Sequence, residues 1–172
     1  MKRALCLALV ALALGCGVRV AVETDESARH AAWKDWSWLA RPPVARGDTE
    51  YAAIDERVHK AFEREMKMRG FREVERERPD FLVTFYAAVS KPITPKQLDY
   101  AAGNPASERS GLNSAGVYEQ GTLIVDLLDA KTGKLAWRGA GRHVFDPKQT
   151  PEERRERIDD AVAAVVGEFA QR

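Results

Sequence analysis

The sequence predicts one α+β domain: a mainly antiparallel, twisted sheet of about five or six strands with two helices packed on one face. Two observations predict it. Helical periodicity occurs only near residues 50–69 and 151–170, too few helices to connect a parallel sheet, and residues 118–144 carry a strong hairpin pattern. With 172 residues, of which 45% are hydrophobic, the chain has the apolar content of a single domain core.

The first predicted elements are two strands. Three valines alternate with Arg19 and Ala21 within residues 18–25, and this period of two predicts a strand. Residues 35–40 are expected to form a second, shorter strand before a pair of prolines. Tryptophans in and beside it could form a ligand-stacking platform, but aromatic side chains in a short domain more often fill the core or cover the sheet. We expect that structural role for Trp33, Trp36 and Trp38.

A helix is predicted next, with Asp48 or Thr49 as its cap and Gly70 at its end. Its apolar residues recur at steps of three and four and form one stripe: Ile54, Val58, Ala61, Phe62 and Met66. After a short strand at FREVE, residues 81–89 are apolar on both faces, which is typical of a central strand.

The hairpin pattern predicts a specific turn. The tetrapeptide AKTG suits a type I turn with Gly133 in the left-handed region. Ala130 should then face Lys134 across a three-residue loop.

This register places Leu127 opposite Trp137 on one face of the hairpin and Asp126 opposite Arg138 on the other. Asp126 is therefore interpreted as a cross-strand partner of Arg138 rather than as a catalytic carboxylate. If the pair is exposed, it should add at most ~1 kcal/mol to stability.

The last predicted element is a helix with a complete set of start signals. Thr150 suits the N-cap, Pro151 the first helical position and Glu153 the return contact of a capping box. Its expected buried stripe is Ile158, Ala161, Val162, Val165 and Phe169.

The N-terminal residues have the pattern of a secretory signal. Lys2 and Arg3 precede an apolar run over residues 4–15. About a dozen apolar residues are too few to span a hydrocarbon core, which needs roughly 20 in a helix. The sequence therefore predicts a signal peptide over residues 1–15 and an exported domain over 16–172.

Cys16 ends this run, and LALGC, residues 12–16, resembles a bacterial lipobox. In proteins with this pattern the cysteine receives a diacylglycerol, the signal is cut before it, and the new N-terminus often carries a further fatty acid such as palmitate. This chain has Ala13 where leucine is commonest, and ordinary signal-peptidase cleavage after Ala13 or near Ala21 is the main alternative. A disulfide is disfavoured because the other cysteine, Cys6, lies within the signal.

Residues 90–117 form a long stretch rich in Pro, Gly, Ser and Asn without periodicity. A loop of this length in a compact domain is either functional or mobile, and both interpretations stay open. Lys96, Tyr100 and Arg109 are the candidate ligand contacts within it.

The sequence gives little support for catalysis. His30, His59 and His143 lie far apart, and the motifs HExxH, CxxC, GxSxG and GxxxxGK[ST] do not occur. We expect no enzymatic activity, no metal site and no cofactor. Lys and Arg number 27 against 26 Asp and Glu and are interspersed, which argues against a nucleic-acid partner.

Several segments together are similar to the bacterial lipoproteins of domain-of-unknown-function family 4136: the lipobox, the helix ending in RGF, the strand PDFLVTFYAAV and the hairpin YEQGTLIVDLLDAKTGKLAWRG. The positions that carry most of the resemblance are Tyr118, Gly121, Thr122, Asp126, Asp129, Lys134, Trp137, Arg138 and Gly139. The resemblance covers nearly all of the mature chain, although the first strand and the tryptophan segment fit loosely. It implies an exported, membrane-anchored domain with helices against a sheet and with no assigned catalytic residues.

The leading functional hypothesis is a lipid-anchored envelope protein that serves as a non-catalytic binding or assembly module. Its expected partners are a membrane, through the anchor, and an envelope protein. Gly17 stands where an aspartate would favour inner-membrane retention in some bacteria, so the expected location is the outer membrane facing the periplasm. The alternatives are a small-molecule-binding or hydrolytic domain with a groove beside residues 90–117, and an accessory subunit of an envelope transporter.

Overall fold

A computed structural model describes residues 18–25, 30–39, 49–75, 78–88, 121–142 and 149–171. The strands and helices are β1 (Arg19–Thr24), β2 (Asp35–Trp38), α1 (Thr49–Met68), β3 (Arg72–Glu73), β4 (Phe81–Ala88), β5 (Thr122–Asp129), β6 (Leu135–Arg142) and α2 (Pro151–Ala170). The six strands form one sheet in the order β1-β6-β5-β4-β2-β3. Its β1–β6, β5–β6 and β4–β5 pairs are antiparallel, whereas β2 is parallel to β4 and β3. The predicted α+β fold class is confirmed.

Both described helices pack on one side of the sheet, which we call the helix face. Alternate strand residues point to opposite sides, so every second side chain of β4, β5 and β6 enters this core. The largest fully buried side chains of the helix face are Trp36, Met66, Phe81, Leu127 and Trp137. The intervening residues form the second face, whose members include Thr84, Ile124, Asp126, Arg138 and Ala140.

The tryptophans have the structural role expected of them. Trp36 is buried and meets Phe62 of α1 edge to face, and Trp33 stacks on Phe81 with ring centroids 5.0 Å apart. Trp38 is half-buried at the margin of the same core, where it contacts Phe62 and Phe85. These aromatic pairs join β2 to α1 and β4, so the tryptophan segment is an integral part of the sheet.

The helix boundaries follow from local capping chemistry. Gly70 takes a φ of 82°, and the Phe71 amide donates to the Met66 carbonyl at 3.0 Å, which closes α1 with a glycine-terminated Schellman motif. α2 starts with the predicted capping box, in which Thr150 and Glu153 each accept from the other's backbone amide.

The two helices run in the same direction. Arg57 of α1 pairs with Asp159 of α2, and Phe71, just after α1, packs on Phe169 near the end of α2. The sheet therefore has two distinct ends.

We call one the helix-start end: β1 begins there at Arg19, opposite Arg142, and both helices begin above it. The other is the turn end, formed by the β5–β6 turn and the starts of β2 and β4. The eight-residue strands separate the two ends by about 25 Å.

Candidate functional site

The β5–β6 hairpin has the predicted register over most of its length. Asp126 lies opposite Arg138, and Leu127 lies opposite Trp137. Leu127 and Trp137 point to the helix face, whereas Asp126 and Arg138 lie on the second face. Sequence pattern alone therefore placed this charged pair correctly.

The predicted turn is wrong by one residue. Asp129, rather than Ala130, faces Lys134, so the loop holds four residues, and a bulge between Leu127 and Leu128 absorbs the shift. The reason is the Asp129 side chain, whose Oδ1 accepts from the backbone amides of Lys131 and Thr132 at 3.0 and 2.7 Å. This local bond nucleates the turn one position earlier. Gly133 has the expected left-handed conformation, with a φ of 67°.

The Asp126–Arg138 pair is buried, contrary to the exposed pair considered from sequence. The Arg138 Nε and Nη2 atoms donate to the two carboxylate oxygens of Asp126 at 2.6 Å each. Only 2% of Arg138 and 4% of Asp126 is accessible. Glu23 of β1 and Thr84 of β4 are the cross-strand neighbours that continue this polar row. A bidentate pair at such depth fixes the register of β5 on β6, because a slip would leave both charges buried and unpaired.

Two glycines of β6 explain how α2 approaches the sheet. A Cβ atom built on Gly139 would overlap the Trp137 ring and would lie 2.9 Å from Val165 of α2. At Gly141 a Cβ would lie 2.8 Å from the same valine. Glycine is therefore needed at both positions to let the Trp137 ring and α2 lie flat on β6.

A polar pocket of about 490 Å³ opens at the turn end. Trp33 lines this pocket together with five charged side chains. They are the carboxylates of Asp25, Asp80 and Asp129 and the ammonium groups of Lys131 and Lys134. Such a mixture suits polar, hydrogen-bonding ligands or a charged protein surface rather than an apolar molecule. The pocket is a binding-site candidate that sequence reasoning missed, because its residues come from four separate segments.

Asp80 is the best-defined carboxylate of this turn-end pocket. Its Oδ2 accepts from the backbone amides of Lys34 and Asp35 at 2.8 and 2.9 Å. Burial acts to raise the pKa of Asp80, but these amide bonds and the charges of Lys131 and Arg72 outweigh it and lower the pKa overall. Asp80 is thus held as a carboxylate that ties the start of β2 to the start of β4.

A second groove, of about 430 Å³, lies between the N-terminal parts of α1 and α2 at the helix-start end. Its floor is apolar and its rim is mainly basic. The floor is formed by Ala53, Ile54, Pro151 and Ile158, and the charged rim by Glu56, Arg57, Lys60, Arg154 and Arg155. The basic residues of RRER in α2 were the only sequence signal for it, and the groove itself depends on the pairing of two distant helices.

A third groove of about 460 Å³ runs between α1 and β3. It contains Glu63 and Glu73 together with Lys60, Arg64, Lys67 and Arg72. Partial burial, and then the negative charge of Glu63, raise the pKa of Glu73. We assign this groove no catalytic role.

The predicted ligand contacts Lys96, Tyr100 and Arg109, the lipidation residue Cys16 and the third histidine, His143, lie outside the described residues. The other histidines are not brought together. His30 packs edge to face on Trp33, whereas the His59 ring lies against Trp38 at a tilt of 47°, with centroids 4.0 Å apart.

Two kinds of feature are absent from the described ranges. They contain no cluster of three or more His, Cys, Asp or Glu side chains that could hold a metal ion. Within the same ranges, neither helix has the length and apolar character needed to cross a membrane.

The six-stranded sheet and the two helices that cover it define a two-layer α+β domain with an open, mainly antiparallel sheet. The family model described as Domain of unknown function (DUF4136) matches residues 20–169, so the chain belongs to the DUF4136 family. The family resemblance found in the sequence is thereby confirmed. No curated protein matches the chain by sequence.

Solved structures are similar to this chain at low sequence identity. A DUF4136 family protein from Bacteroides thetaiotaomicron is 12% identical, with a TM-score of 0.60 over 90% of this chain and 97% of that one. A PDZ domain protein from Parabacteroides distasonis is 11% identical, with a TM-score of 0.51 over 87% of this chain and 35% of that one. A PelC dodecamer from Paraburkholderia phytofirmans is 9% identical, with a TM-score of 0.49 over 90% and 99% of the two chains.

Proposed function

We propose that this protein is a lipid-anchored envelope protein whose folded domain is a non-catalytic binding or assembly module. The observation that carries the proposal is the position of Cys16. It closes the apolar run of an export signal and lies only three residues before β1. Acylation there would hold the whole domain at a membrane surface, and two or three acyl chains suffice for stable attachment.

The start of β1 supports a short tether. Val18 packs against the core beside Gly141 and α2, so the chain is fixed from this residue onward. Two residues span at most about 7 Å, so an acyl group on Cys16 would lie close to the helix-start end. The turn end, about 25 Å away, would then point away from the membrane.

The buried charges of the domain support a non-catalytic role, because each described pair serves the fold. Arg138 occupies both oxygens of Asp126, and Arg69, just after α1, pairs with buried Glu65 of α1 at 2.5 Å. The turn-end pocket is the better candidate for contact with a partner, since it is polar and would face the aqueous space. We propose that it binds an envelope protein.

The anchor is tested by growing cells with a clickable fatty acid. We expect label on the wild-type protein and on Cys6→Ser, which keeps the predicted acylation site. Label should be lost from Cys16→Ser. Equal label on wild type and Cys16→Ser would contradict the proposal.

The binding role is tested by crosslinking and mass spectrometry on the anchored protein. The variant Lys131→Glu/Lys134→Glu reverses charge in the turn-end pocket, and Lys67→Glu reverses an exposed charge on α1 as the control. We expect the first variant, but not the control, to lose the crosslinks that wild type forms. Identical crosslinks in all three proteins would contradict the proposal that the turn-end pocket binds a partner.

A further inference from the structure

We propose that the groove between α1 and β3, which we call the α1–β3 groove, binds an extended, basic peptide segment of a partner protein. The peptide adds to the sheet beside β3 and places an arginine or lysine side chain between Glu63 and Glu73. This proposal goes beyond the lipid anchor and the turn-end pocket, because it uses neither Cys16 nor any residue that lines that pocket.

The edge of the sheet at β3 is the first observation. In the part of the chain that the structure describes, β3 pairs with β2 alone. The amides of Arg72 and Val74 donate to the carbonyls of Lys34 and Trp36 at 2.9 and 2.8 Å. Because backbone groups alternate in direction along a strand, the N–H and C=O of the intervening Glu73 face away from β2. An open strand edge of this kind is where an extended peptide adds to a sheet.

The α1–β3 groove lies on the side of the sheet to which the Glu73 side chain points. Glu73 is the cross-strand partner of Trp36, whose ring belongs to the helix-face core, so both side chains share that face. The opposite wall is α1 from Lys60 to Lys67, a length of about 10 Å, which matches three residues of extended chain. A peptide bound to the Glu73 backbone would therefore direct a side chain into the groove.

The basic side chains of the groove are mostly engaged elsewhere. Four of its six charged residues are basic, but three of these four pair with carboxylates outside the groove. The pairs are Lys60 with Glu56, Arg64 with Glu65 and Asp159, and Arg72 with both oxygens of Asp35. Lys67 is the remaining basic side chain.

The two glutamates of the groove lack equivalent compensation. Burial, and then the charge of Glu63, raise the pKa of Glu73, and no cation of the described chain counters that rise. Glu63 itself accepts a long bond of 3.4 Å from the Trp38 indole and lies 4.0 Å from the His59 imidazole. A guanidinium or ammonium group between the two carboxylates would replace their repulsion by charge-assisted hydrogen bonds.

A buried donor in the wall of the groove points independently to a ligand. Trp36 lines the groove and is 1% accessible, and its indole N–H makes no hydrogen bond within the described residues. Buried polar groups are normally paired, so this donor is suited to a carbonyl group that enters with the peptide.

The test measures the binding of fluorescein-labelled peptides to the full-length protein by fluorescence anisotropy. The probe is Thr-Val-Arg-Val-Thr, whose β-branched residues favour an extended chain, and two comparison peptides carry Gln or Glu in place of Arg. We expect the arginine peptide to bind about tenfold more tightly than the glutamine peptide, and the glutamate peptide to bind most weakly. Equal affinity for the three peptides would contradict the proposal.

Protein variants locate the charge contact. Glu63→Gln/Glu73→Gln removes both carboxylates at nearly constant side-chain size, so the preference for arginine over glutamine should disappear. The matched control Glu152→Gln/Glu168→Gln removes two exposed carboxylates of α2 and should keep the preference. Lys67→Gln removes the remaining basic side chain of the groove and should tighten binding. An arginine preference that persists without Glu63 and Glu73 would place the peptide elsewhere.

Methylation of one peptide nitrogen tests the backbone pairing without altering the protein. In antiparallel pairing the arginine N–H donates to the Glu73 carbonyl, whereas in parallel pairing the N–H of the following valine does so. We expect one of these two N-methylated peptides, but not the other, to bind about fivefold more weakly or worse, and the sensitive position reports the strand direction. Unchanged affinity for both methylated peptides would contradict addition to the sheet at β3.

Discussion

The two faces of the sheet are both buried along β5 and β6 but use different chemistry. On the helix face, Trp137 and Leu127 pack with the side chains of two helices. On the second face, the same two strands carry Asp126 and Arg138 in a bidentate pair between Thr84 and Glu23. Apolar packing supplies stability with little directional preference, whereas the ion pair is stabilising only in one register. The helix face of the hairpin therefore contributes mainly stability, and its second face contributes mainly the specificity of the strand register.

The largest expected effect is on the helix face. Trp137→Ala removes a ring that is 1% accessible and leaves a cavity beneath α2, since Gly139 offers no side chain to fill it. We expect a loss of about 3–5 kcal/mol in the free energy of unfolding, measured by urea denaturation. A loss below about 1 kcal/mol would mean that the helix face is not the main source of stability.

Breaking the pair on the second face should be nearly as costly. Arg138→Met leaves the Asp126 carboxylate buried without its bidentate partner, and we expect a loss of about 3 kcal/mol.

Replacing both charged residues, as in Asp126→Leu/Arg138→Met, should restore most of that stability because neither charge then remains. If the double variant is as unstable as the single one, the pair itself contributes net stability and the contrast between the faces fails. The register can be checked in the double variant by amide exchange across β5 and β6.

A smaller effect should follow from adding one carbon under α2. Gly139→Ala places a Cβ against Trp137 and Val165, so we expect a loss of about 1–3 kcal/mol from overpacking. Gly167→Ala is the matched control, because its Cβ would meet only the end of Arg69 at 3.7 Å and alanine favours a helix interior. The control should be neutral or stabilising by up to about 1 kcal/mol in thermal melts. Equal losses of stability in the two variants would show that the space around Gly139 is no more restricted than the space around Gly167.

The smallest expected effect concerns Asp80, a carboxylate near solvent that contrasts with buried Asp126. Because its pKa is lowered in the folded state, Asp80 contributes stability above the ordinary value of 3.8, and this contribution is lost as the pH falls through the folded pKa. Asp80→Asn should therefore flatten the acid side of the stability profile by less than about 1 kcal/mol. An unchanged profile in acid denaturation would show that the amide bonds from Lys34 and Asp35 do not favour the charged form.

Sequence pattern was sufficient where the determinants are local. The capping box at Thr150, the glycine end of α1 and the Asp126–Arg138 register each depend on residues close in the chain or on one tight turn. The turn itself shifted by one residue because a single side-chain bond from Asp129 competes with the expected loop.

Non-local features were not predictable in the same way. The parallel pairing of β2 with β4 joins segments separated by α1, and the depth of Asp126 depends on the whole second face. The turn-end pocket and the groove between α1 and α2 are assembled from separate elements, so no short motif marks them. The predicted contacts in residues 90–117 remain predictions.

The claim on which the functional account depends is that the mature protein begins at an acylated Cys16. Intact mass spectrometry of the protein extracted from cell membranes measures this directly. We expect the mass of residues 16–172 with two or three acyl chains attached to the cysteine and its new amino group. The mass of an unmodified chain that begins after Ala13 or near Ala21 would contradict it.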